Sequence, residues 1–464
     1  MVRIGVEVHV QLQTATKLFC GCPNRFANEP NIHTCETCLG MPGSKPRVNK
    51  KAIEYGIKVA LALNCKFPKE TFFSRKSYFY PDMSKNFQIS QYEIPLCKEG
   101  YLKVNGKRIR ITRINLEEDP ARITHIGTIT QAKYILVDYN RSGTPLCEVV
   151  TEPDFESPAE VRQFLQELSS MLEYMGVYDS AVEGSLRVDA NISIEGGNRV
   201  EVKNITGFRD VEKALNYEII RQRNQTRRGE KIVRETRAWD AASGVTRSLR
   251  VKEEEEEYGY IFDTDLPLIT LDEKKIEQIR KTLPEFASQK VDRYVKEFVI
   301  PRDLAVSVTT EPEIAKMFEE VVKQVSPKLA ASFFAGELKK SLNYRNLRLK
   351  DTGLKASQMI KLLKMIEDKK VTERGAEMLV RDMVLQPHDP EELLEAKEMG
   401  RVGDESQLEK LVEEAMAENY KAVVDYRGGR GEAFEFLVGQ VMRKTRGRGD
   451  PAVIRKILQK KLAR

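Results

Sequence analysis

The feature that most constrains this chain is a group of four cysteines near its start. They fall in two close pairs with 12 residues between the pairs: Cys20, Cys22, Cys35 and Cys38. Two close pairs joined by a short loop are typical of a zinc ribbon, in which four thiolates close a tetrahedron around the metal. The spacing therefore predicts a zinc knuckle over residues 20–38, with a structural Zn²⁺ and no open coordination position.

The segment just before the cysteines alternates in the manner of a β-strand. Over Gly5–Leu12, apolar residues at even positions alternate with Glu7, His9 and Gln11. Alternate side chains of a strand point to opposite faces, so these three polar groups share one face. A carboxylate, an imidazole and an amide in one row are suited to binding a metal or moving a proton. A single histidine is more often a structural hydrogen-bonding residue, and at this point both interpretations stand.

A second alternating pattern occupies Ser185–Ile194 and Arg199–Ile205. Odd positions are polar and even positions apolar over residues 185–194 and 199–203, and the Gly-Gly link between the segments predicts a β-hairpin. A two-residue loop would set polar positions opposite apolar ones, so we expect an odd-length loop. Asp and Asn are poor strand formers, which favours a functional face over an ordinary solvated sheet. That face would carry Arg187, Asp189, Asn191, Glu201 and Lys203.

Length and composition restrict the class of protein. A chain of 464 residues, 41% hydrophobic and 31% charged, predicts a globular protein of about three domains. No apolar run approaches the roughly 20 residues that cross a membrane, and no signal peptide is recognisable, so we expect a cytoplasmic protein with no membrane partner. Four of the seven cysteines are grouped as metal ligands, which favours a reducing compartment over a disulfide framework.

The pattern of elements predicts an α+β fold in three parts. Strands dominate the first half, with a hairpin turn at Asn105-Gly106 and clear helices over Asn49–Leu63 and Ser157–Met175. Helices dominate from about Leu271, and the composition changes again beyond Gly400. We therefore predict a mixed or antiparallel sheet domain with a zinc knuckle, then a helical domain, then a small helical tail, over residues 1–294, 295–403 and 404–464.

The tail is strongly basic. Within residues 427–464, 11 Lys or Arg stand against three acidic residues. A small basic helical domain of this kind favours binding to nucleic acid, and a merely solvated surface is the alternative. The candidate RNA contacts are Arg430, Arg443, Lys444, Arg446 and Arg448.

The chain lacks several common catalytic motifs. It has no Walker A loop, no Gly-rich dinucleotide fingerprint and no Ser-rich amidase motif. It offers instead carboxylates in polar contexts, which around Mg²⁺ would suit phosphoryl transfer, where catalysis is mostly positioning and charge neutralisation. These are Glu7, the pair Glu117 and Glu118, Glu148, Asp189 and Glu201.

Eight motifs, in order along nearly the whole chain, give it a family resemblance. They are Gly5–Leu12, Tyr78–Asp82, Gln88–Gln91, Leu116–Asp119, Val137–Leu146, Gly184–Ser193, Glu201–Asn204 and Gly439–Met442. In these motifs the chain resembles the B subunits of the tRNA-dependent amidotransferases known as GatCAB. One departure lies at Glu257–Phe262, where many members have an arginine that this chain lacks.

The resemblance implies a function. ATP would phosphorylate the side chain of Asp or Glu misacylated on tRNA(Asn) or tRNA(Gln), and ammonia would then displace the phosphate. The first domain would be a cradle that holds this site, and the tail would bind the tRNA. Ammonia would come from the glutaminase (amidase) of the complex, its A subunit, in a heterotrimer completed by the small C subunit.

The resemblance also implies roles for residues. Mg²⁺ would be bound by Glu7, His9 and Glu118. Catalytic roles would fall to these three with Glu148, Asp189 and Glu201. ATP or its phosphates would contact Arg75, Lys76, Arg187, Asn191 and Lys203.

Two other functions compete with this one. A non-catalytic, zinc-containing tRNA-binding scaffold would account for the cysteines and the basic tail, but it leaves the Asp189 and Glu201 face unexplained. A stand-alone ATP-dependent ligase would lack a source of ammonia.

Overall fold

The computed structural model describes residues 1–127, 133–251, 259–397, 405–445 and 449–462. The chain divides into two compact units, residues 1–286 and 287–464. Strands and helices are mixed in the first unit, and the described part of the second is helical. The predicted α+β class is thereby confirmed.

The first unit is built on an eight-stranded sheet of order β13-β12-β11-β10-β1-β9-β6-β5. Its neighbouring strands are antiparallel except for β11 and β12, which run parallel. Three smaller sheets have the orders β14-β3-β4, β15-β2 and β7-β8. The strands are β1 Val2–Gln11, β2 Glu70–Thr71, β3 Ser74–Ser77, β4 Phe87–Ser90, β5 Cys97–Val104, β6 Lys107–Glu118, β7 Arg122–Ile126, β8 Tyr134–Asp138, β9 Pro145–Thr151, β10 Leu186–Ile194, β11 Val200–Thr206, β12 Glu235–Asp240, β13 Val245–Val251, β14 Tyr260–Phe262 and β15 Ile269–Thr270.

The longer helices of the first unit pack on the apolar face of the large sheet. Even-numbered residues of β1, such as Val6 and Val8, share one apolar core with Phe164 and Leu215 of the two longest helices. That burial leaves the polar face of the sheet free for a site. The helices of this unit are α1 Glu36–Leu39, α2 Lys50–Ala62, α3 Pro158–Tyr174, α4 Phe208–Arg227 and α5 Glu273–Arg280.

The local signals in the sequence hold. Asn49 caps α2 through its side chain, which accepts from the Lys51 backbone N–H, and Ser157 caps α3 in the same way. Asn105 and Gly106 both have positive φ, 49° and 82°, as a type I′ turn requires. The predicted helices and the β5–β6 hairpin are confirmed.

The second unit contains two separate apolar cores, one from Val291 to Leu394 and one from Leu408 to Leu462. The domain boundary predicted at 294/295 falls inside the first helix of this unit. The boundary between the two compact units lies instead at 286/287. Its helices are α6 Ala287–Glu297, α7 Arg302–Val308, α8 Pro312–Val321, α9 Pro327–Phe333, the π-helix Phe334–Leu338, α10 Lys339–Arg345, the 3₁₀ turn Leu349–Asp351, α11 Ala356–Glu367, α12 Glu373–Met383, α13 Pro390–Ala396, α14 Glu405–Glu418, α15 Tyr420–Arg427, α16 Glu432–Lys444 and α17 Pro451–Leu462. Across the ranges described, no helix is both long and apolar enough to span a bilayer.

Candidate active site

Five neighbouring strands bring polar side chains together on one face of the large sheet. Registration sets Glu7 opposite Asp189, His9 opposite Glu148, and Asn191 opposite Glu201. Residues opposite one another in a sheet point to the same face. The odd-length loop predicted for the β10–β11 hairpin is confirmed, because Ile192 pairs with Val200 and polar positions therefore match.

His9 lies between two carboxylates on this face. Its Nδ1 is 3.2 Å from Oε1 of Glu117, and its Nε2 is 3.9 Å from Oδ2 of Asp189. Ligand atoms of Glu7, His9 and Asp189 all lie within 4.8 Å of one another. One imidazole nitrogen and two carboxylate oxygens at that separation are a donor set that fits a divalent cation.

Neutral donors and a lysine orient the other carboxylates. The Asn191 amide donates to Glu7 at 3.1 Å, the Asn115 amide to Glu148 at 2.7 Å, and the Thr236 hydroxyl to Glu201 at 3.0 Å. The ammonium of Lys203 is 3.4 Å from Glu201 and 3.7 Å from Asp189. The result is a fixed, strongly acidic surface.

The electrostatics of this surface call for additional positive charge. Burial, with the charges of Glu148 and Asp189, raises the pKa of Glu7 above its usual range. Burial lowers the pKa of His9, but its hydrogen bond to Glu117 and the neighbouring carboxylates outweigh this and raise it to about 9. Carboxylates crowded in this way are relieved by a proton or a bound cation.

Two predicted site residues lie elsewhere. The carboxylate of Glu118 forms an ion pair with buried Lys85 and accepts from the Ile89 backbone N–H at 2.8 Å. Arg75 donates to Asp263 at 3.0 Å and to Asp265 at 2.7 Å. Adjacent strand residues point to opposite faces, so the predictions that Glu118 binds the metal and Arg75 the phosphates need correction.

Their neighbours occupy the site instead. Glu117 contacts His9, and Lys76 acts electrostatically on Glu117. The sequence contains the necessary signal, because Ile114 and Leu116 are apolar and buried, which places Glu117 on the other face. The alternation of buried and site-facing residues along β6 holds only from the bulge near Thr112 onward, because the β6–β9 register shifts there.

Arg187 is held at the edge of the site by Asp119, a residue that sequence reasoning missed. The guanidinium of Arg187 is 2.7 Å from Oδ1 of Asp119, which is fully buried. The amide of Gln11 donates to Oδ2 of the same carboxylate at 3.1 Å. Arg187 lies opposite His9 in the sheet and is fixed beside the carboxylates.

The four clustered cysteines also converge. Their sulfur atoms lie within 4.8 Å of one another, and all seven cysteines, each in a described range, are free thiols. The hydrogen bond with Cys20 outweighs burial and, aided by the Cys35 backbone and the charge of Lys17, lowers the pKa of Cys38 to about 5. Four sulfurs so arranged, one of them readily ionised, could bind Zn²⁺.

The tail residues differ in their surroundings. Arg430 pairs with Asp425 at 3.2 Å, and Lys444 lies 3.3 Å from Glu414 and 2.6 Å from Glu418. Arg443 is exposed at the end of α16. Arg446 and Arg448 lie outside the described residues.

His9 is expected to remain protonated at pH 8 in metal-free protein. Its folded pKa of about 9 exceeds the ordinary 6.5, so its protonation stabilises the fold fully below about pH 6.5, and that contribution is lost as the pH rises through 9. NMR titration of the four histidine rings, with His9→Gln for assignment, measures this value. A His9 pKa at or below 6.5 would contradict the contact between His9 and Glu117.

Comparison with known proteins identifies the class and then the family. Residues 2–277 match the family model described as "GatB/GatE catalytic domain", and residues 316–462 match one described as "GatB domain". The chain therefore belongs to the GatB family, and the resemblance seen in its motifs is confirmed.

Three curated relatives similar to this chain carry the same name, that of the B subunit of aspartyl/glutamyl-tRNA(Asn/Gln) amidotransferase. The protein from Haloquadratum walsbyi is 44% identical over 99% of this chain and 96% of its own length. Those from Carboxydothermus hydrogenoformans and Saccharolobus solfataricus are 42% and 43% identical, covering 99% and 100% of this chain and 98% and 99% of their own lengths.

Proposed function

We propose that this chain is the component of a tRNA-dependent amidotransferase that activates and amidates the side chain of Asp or Glu misacylated on tRNA. The observation that carries the proposal is the set of five carboxylates that converge with His9 on one sheet face, in a chain of the GatB family. Burying several carboxylates side by side costs free energy through desolvation. A scaffold that only bound tRNA would not require such a cluster.

ATP and Mg²⁺ fit this face. Glu7, His9 and Asp189 would hold the metal, which would neutralise the phosphate charge during transfer. Lys76, Arg187 and Lys203 supply further positive charge, and the Asn191 amide holds Glu7 in position. Glu117 orients the His9 ring through Nδ1, which leaves Nε2 directed toward Asp189 as the nitrogen that would bind the metal.

Ammonia has to come from another protein. The sequence contains no amidase nucleophile motif, so the source we propose is a glutaminase partner, the A subunit, with the small C subunit as the third component. A protected route from that partner would keep ammonia unprotonated and away from water.

The test is conversion of the charged amino acid. The chain, purified with its partner subunits, is given ATP, glutamine and tRNA(Asn) or tRNA(Gln) carrying Asp or Glu, and the amino acid is released and identified. Formation of Asn or Gln supports the proposal and shows which tRNA is used. Tight tRNA binding without amide formation would support the scaffold instead.

The cysteine cluster is proposed to bind a structural zinc. Cys35→Ser is expected to lower both zinc content and melting temperature, because the metal orders residues 20–38 only when all four ligands are present. Metal analysis and thermal denaturation measure the two effects, and Ser44→Ala, at a partly buried position near the cluster, is the control. Full zinc occupancy in Cys35→Ser would show that the four-cysteine assignment is wrong.

The tail is proposed to bind tRNA through its exposed cations. Each phosphate contact contributes about 0.7–0.9 to the slope of log affinity against log salt. Arg443→Ala removes one such contact and should therefore reduce the magnitude of the slope by about 0.7–0.9. Lys444→Ala should change it less, since that ammonium already pairs with Glu414 and Glu418. Equal slopes for wild type and Arg443→Ala in a salt titration of tRNA binding would remove Arg443 from the interface.

A further inference from the structure

Lys17 is a completely buried lysine beside the cysteine cluster. Its ammonium has three acceptors: the His33 carbonyl at 2.7 Å, the Tyr139 carbonyl at 3.2 Å and Sγ of Cys38 at 3.7 Å. A buried charge is tolerated only when it is paired and hydrogen-bonded. Four thiolates around Zn²⁺ carry a net negative charge, which this ammonium is placed to balance.

The same ammonium reaches the segment 137–144, here called the bridging segment. Backbone and side-chain hydrogen bonds join that segment to Leu18 and to residues 29–38 of the knuckle. They are Asn31 N–H to Asp138 at 3.0 Å, Tyr139 N–H to Asn31 at 2.7 Å, His33 N–H to Asn140 at 2.7 Å, Asn140 amide to the Glu29 carbonyl at 2.8 Å, Leu18 N–H to the Gly143 carbonyl at 2.8 Å and Ser142 hydroxyl to the Cys38 carbonyl at 3.4 Å.

The bridging segment in turn fixes Asp119. The Asp119 N–H donates to the Thr144 carbonyl and the Gly143 N–H donates to the Asp119 carbonyl, both at 2.9 Å. Arg141 donates to the Pro120 carbonyl at 3.0 Å, and its Nε is 3.7 Å from the Asp119 carboxylate. Asp119 holds Arg187 through an ion pair, so a continuous path of hydrogen bonds, completed by that ion pair, runs from the cysteines to the acidic sheet face.

We propose that Lys17 is a positioning residue that couples the zinc knuckle to Arg187 through the bridging segment. The metal then does more than order its own loop. When zinc is bound, the knuckle, Lys17 and the bridging segment form one rigid support for the Asp119–Arg187 pair. The effect on ATP affinity rests on the proposed function, whereas the coupling of the knuckle to the bridging segment does not.

The test compares Lys17→Met with Lys58→Met in full-length protein. Lys58 is a matched control, since it is a largely buried lysine of α2 with one distant ion-pair partner, Glu54 at 3.9 Å. Zinc transfer to a chelating dye should be about 10–100-fold faster in Lys17→Met, as expected when a group that supports a metal ligand is removed. Amide hydrogen exchange in residues 137–144 should accelerate, and KM for ATP should rise several-fold in the complex with partner subunits.

Asn140→Ala provides a second variant in case Lys17→Met does not fold. It breaks the link to His33 and Glu29 without touching a cysteine. We expect zinc to be retained, exchange in residues 137–144 to accelerate and KM for ATP to rise. Exchange equal to that of Lys58→Met in whichever variant folds would overturn the coupling, even if zinc were lost. Faster exchange with unchanged KM would keep the coupling and count against Arg187 as an ATP-binding residue.

Discussion

Replacing Glu7 with glutamine is expected to lower amide formation by at least about 100-fold, the usual cost of removing one group that stabilises charge at the reacting centre. The melting temperature should stay the same or rise. Burial and the charges of Glu148 and Asp189 already raise the pKa of Glu7, so the metal-free fold gains nothing from that negative charge. Glutamine keeps the size of the side chain, and it can still accept from the Asn191 amide.

Turnover under saturating ATP, glutamine and charged tRNA, together with thermal denaturation, checks this result. Glu54→Gln, a change to a half-buried glutamate of α2, is the control and should alter neither quantity by much. A Glu7→Gln protein that melts at a lower temperature but is fully active per folded molecule would make Glu7 a structural residue.

The adjacent pair Glu117 and Glu118 should respond in opposite ways. Glu117→Gln should lower amide formation by at least about 100-fold, because it removes the charge that orients His9. It should lower stability less than the change at Glu118 does, because His9 can release its proton when its buried partner is neutralised. Glu118→Gln should lower the free energy of unfolding by about 3–5 kcal/mol, because it leaves the buried ammonium of Lys85 without its partner. Folded Glu118→Gln protein should retain turnover.

Chemical denaturation and turnover of the two variants measure this contrast. The double variant Glu118→Gln/Lys85→Met removes both charges and should recover much of the stability lost in Glu118→Gln. Loss of turnover in folded Glu118→Gln protein of normal stability would return Glu118 to the catalytic site and contradict its placement beside Lys85.

Local patterns were enough to predict most of the fold. Alternation over 185–205 specifies which residues pair, since a one-residue slip would expose Val188 and bury Asp189 against the core. The caps Asn49 and Ser157 define where two helices begin. The five-strand row of carboxylates could not be assembled in this way, because β1 pairs with both β9 and β10, far away in sequence.

The two site residues whose placement differs from the prediction, Glu118 and Arg75, also depend on how strands pair. Glu118 and Arg75 each adjoin a residue that does face the site, and only the register of β6 and β3 separates the members of each pair. Asp119 and Lys17 carry no local signal, since their roles depend on contacts with Arg187 and with the bridging segment. Contacts between distant segments of this kind become visible only in the folded chain.

The central claim is that the acidic sheet face activates the carboxylate on the tRNA at the expense of ATP. Release of phosphate from ATP by the complex, measured with misacylated, correctly charged and uncharged tRNA, tests it most directly. We predict rapid release only with misacylated tRNA, and its loss in Glu7→Gln protein that still binds tRNA. Release that is independent of the amino acid on the tRNA, or that persists in Glu7→Gln, would contradict this claim.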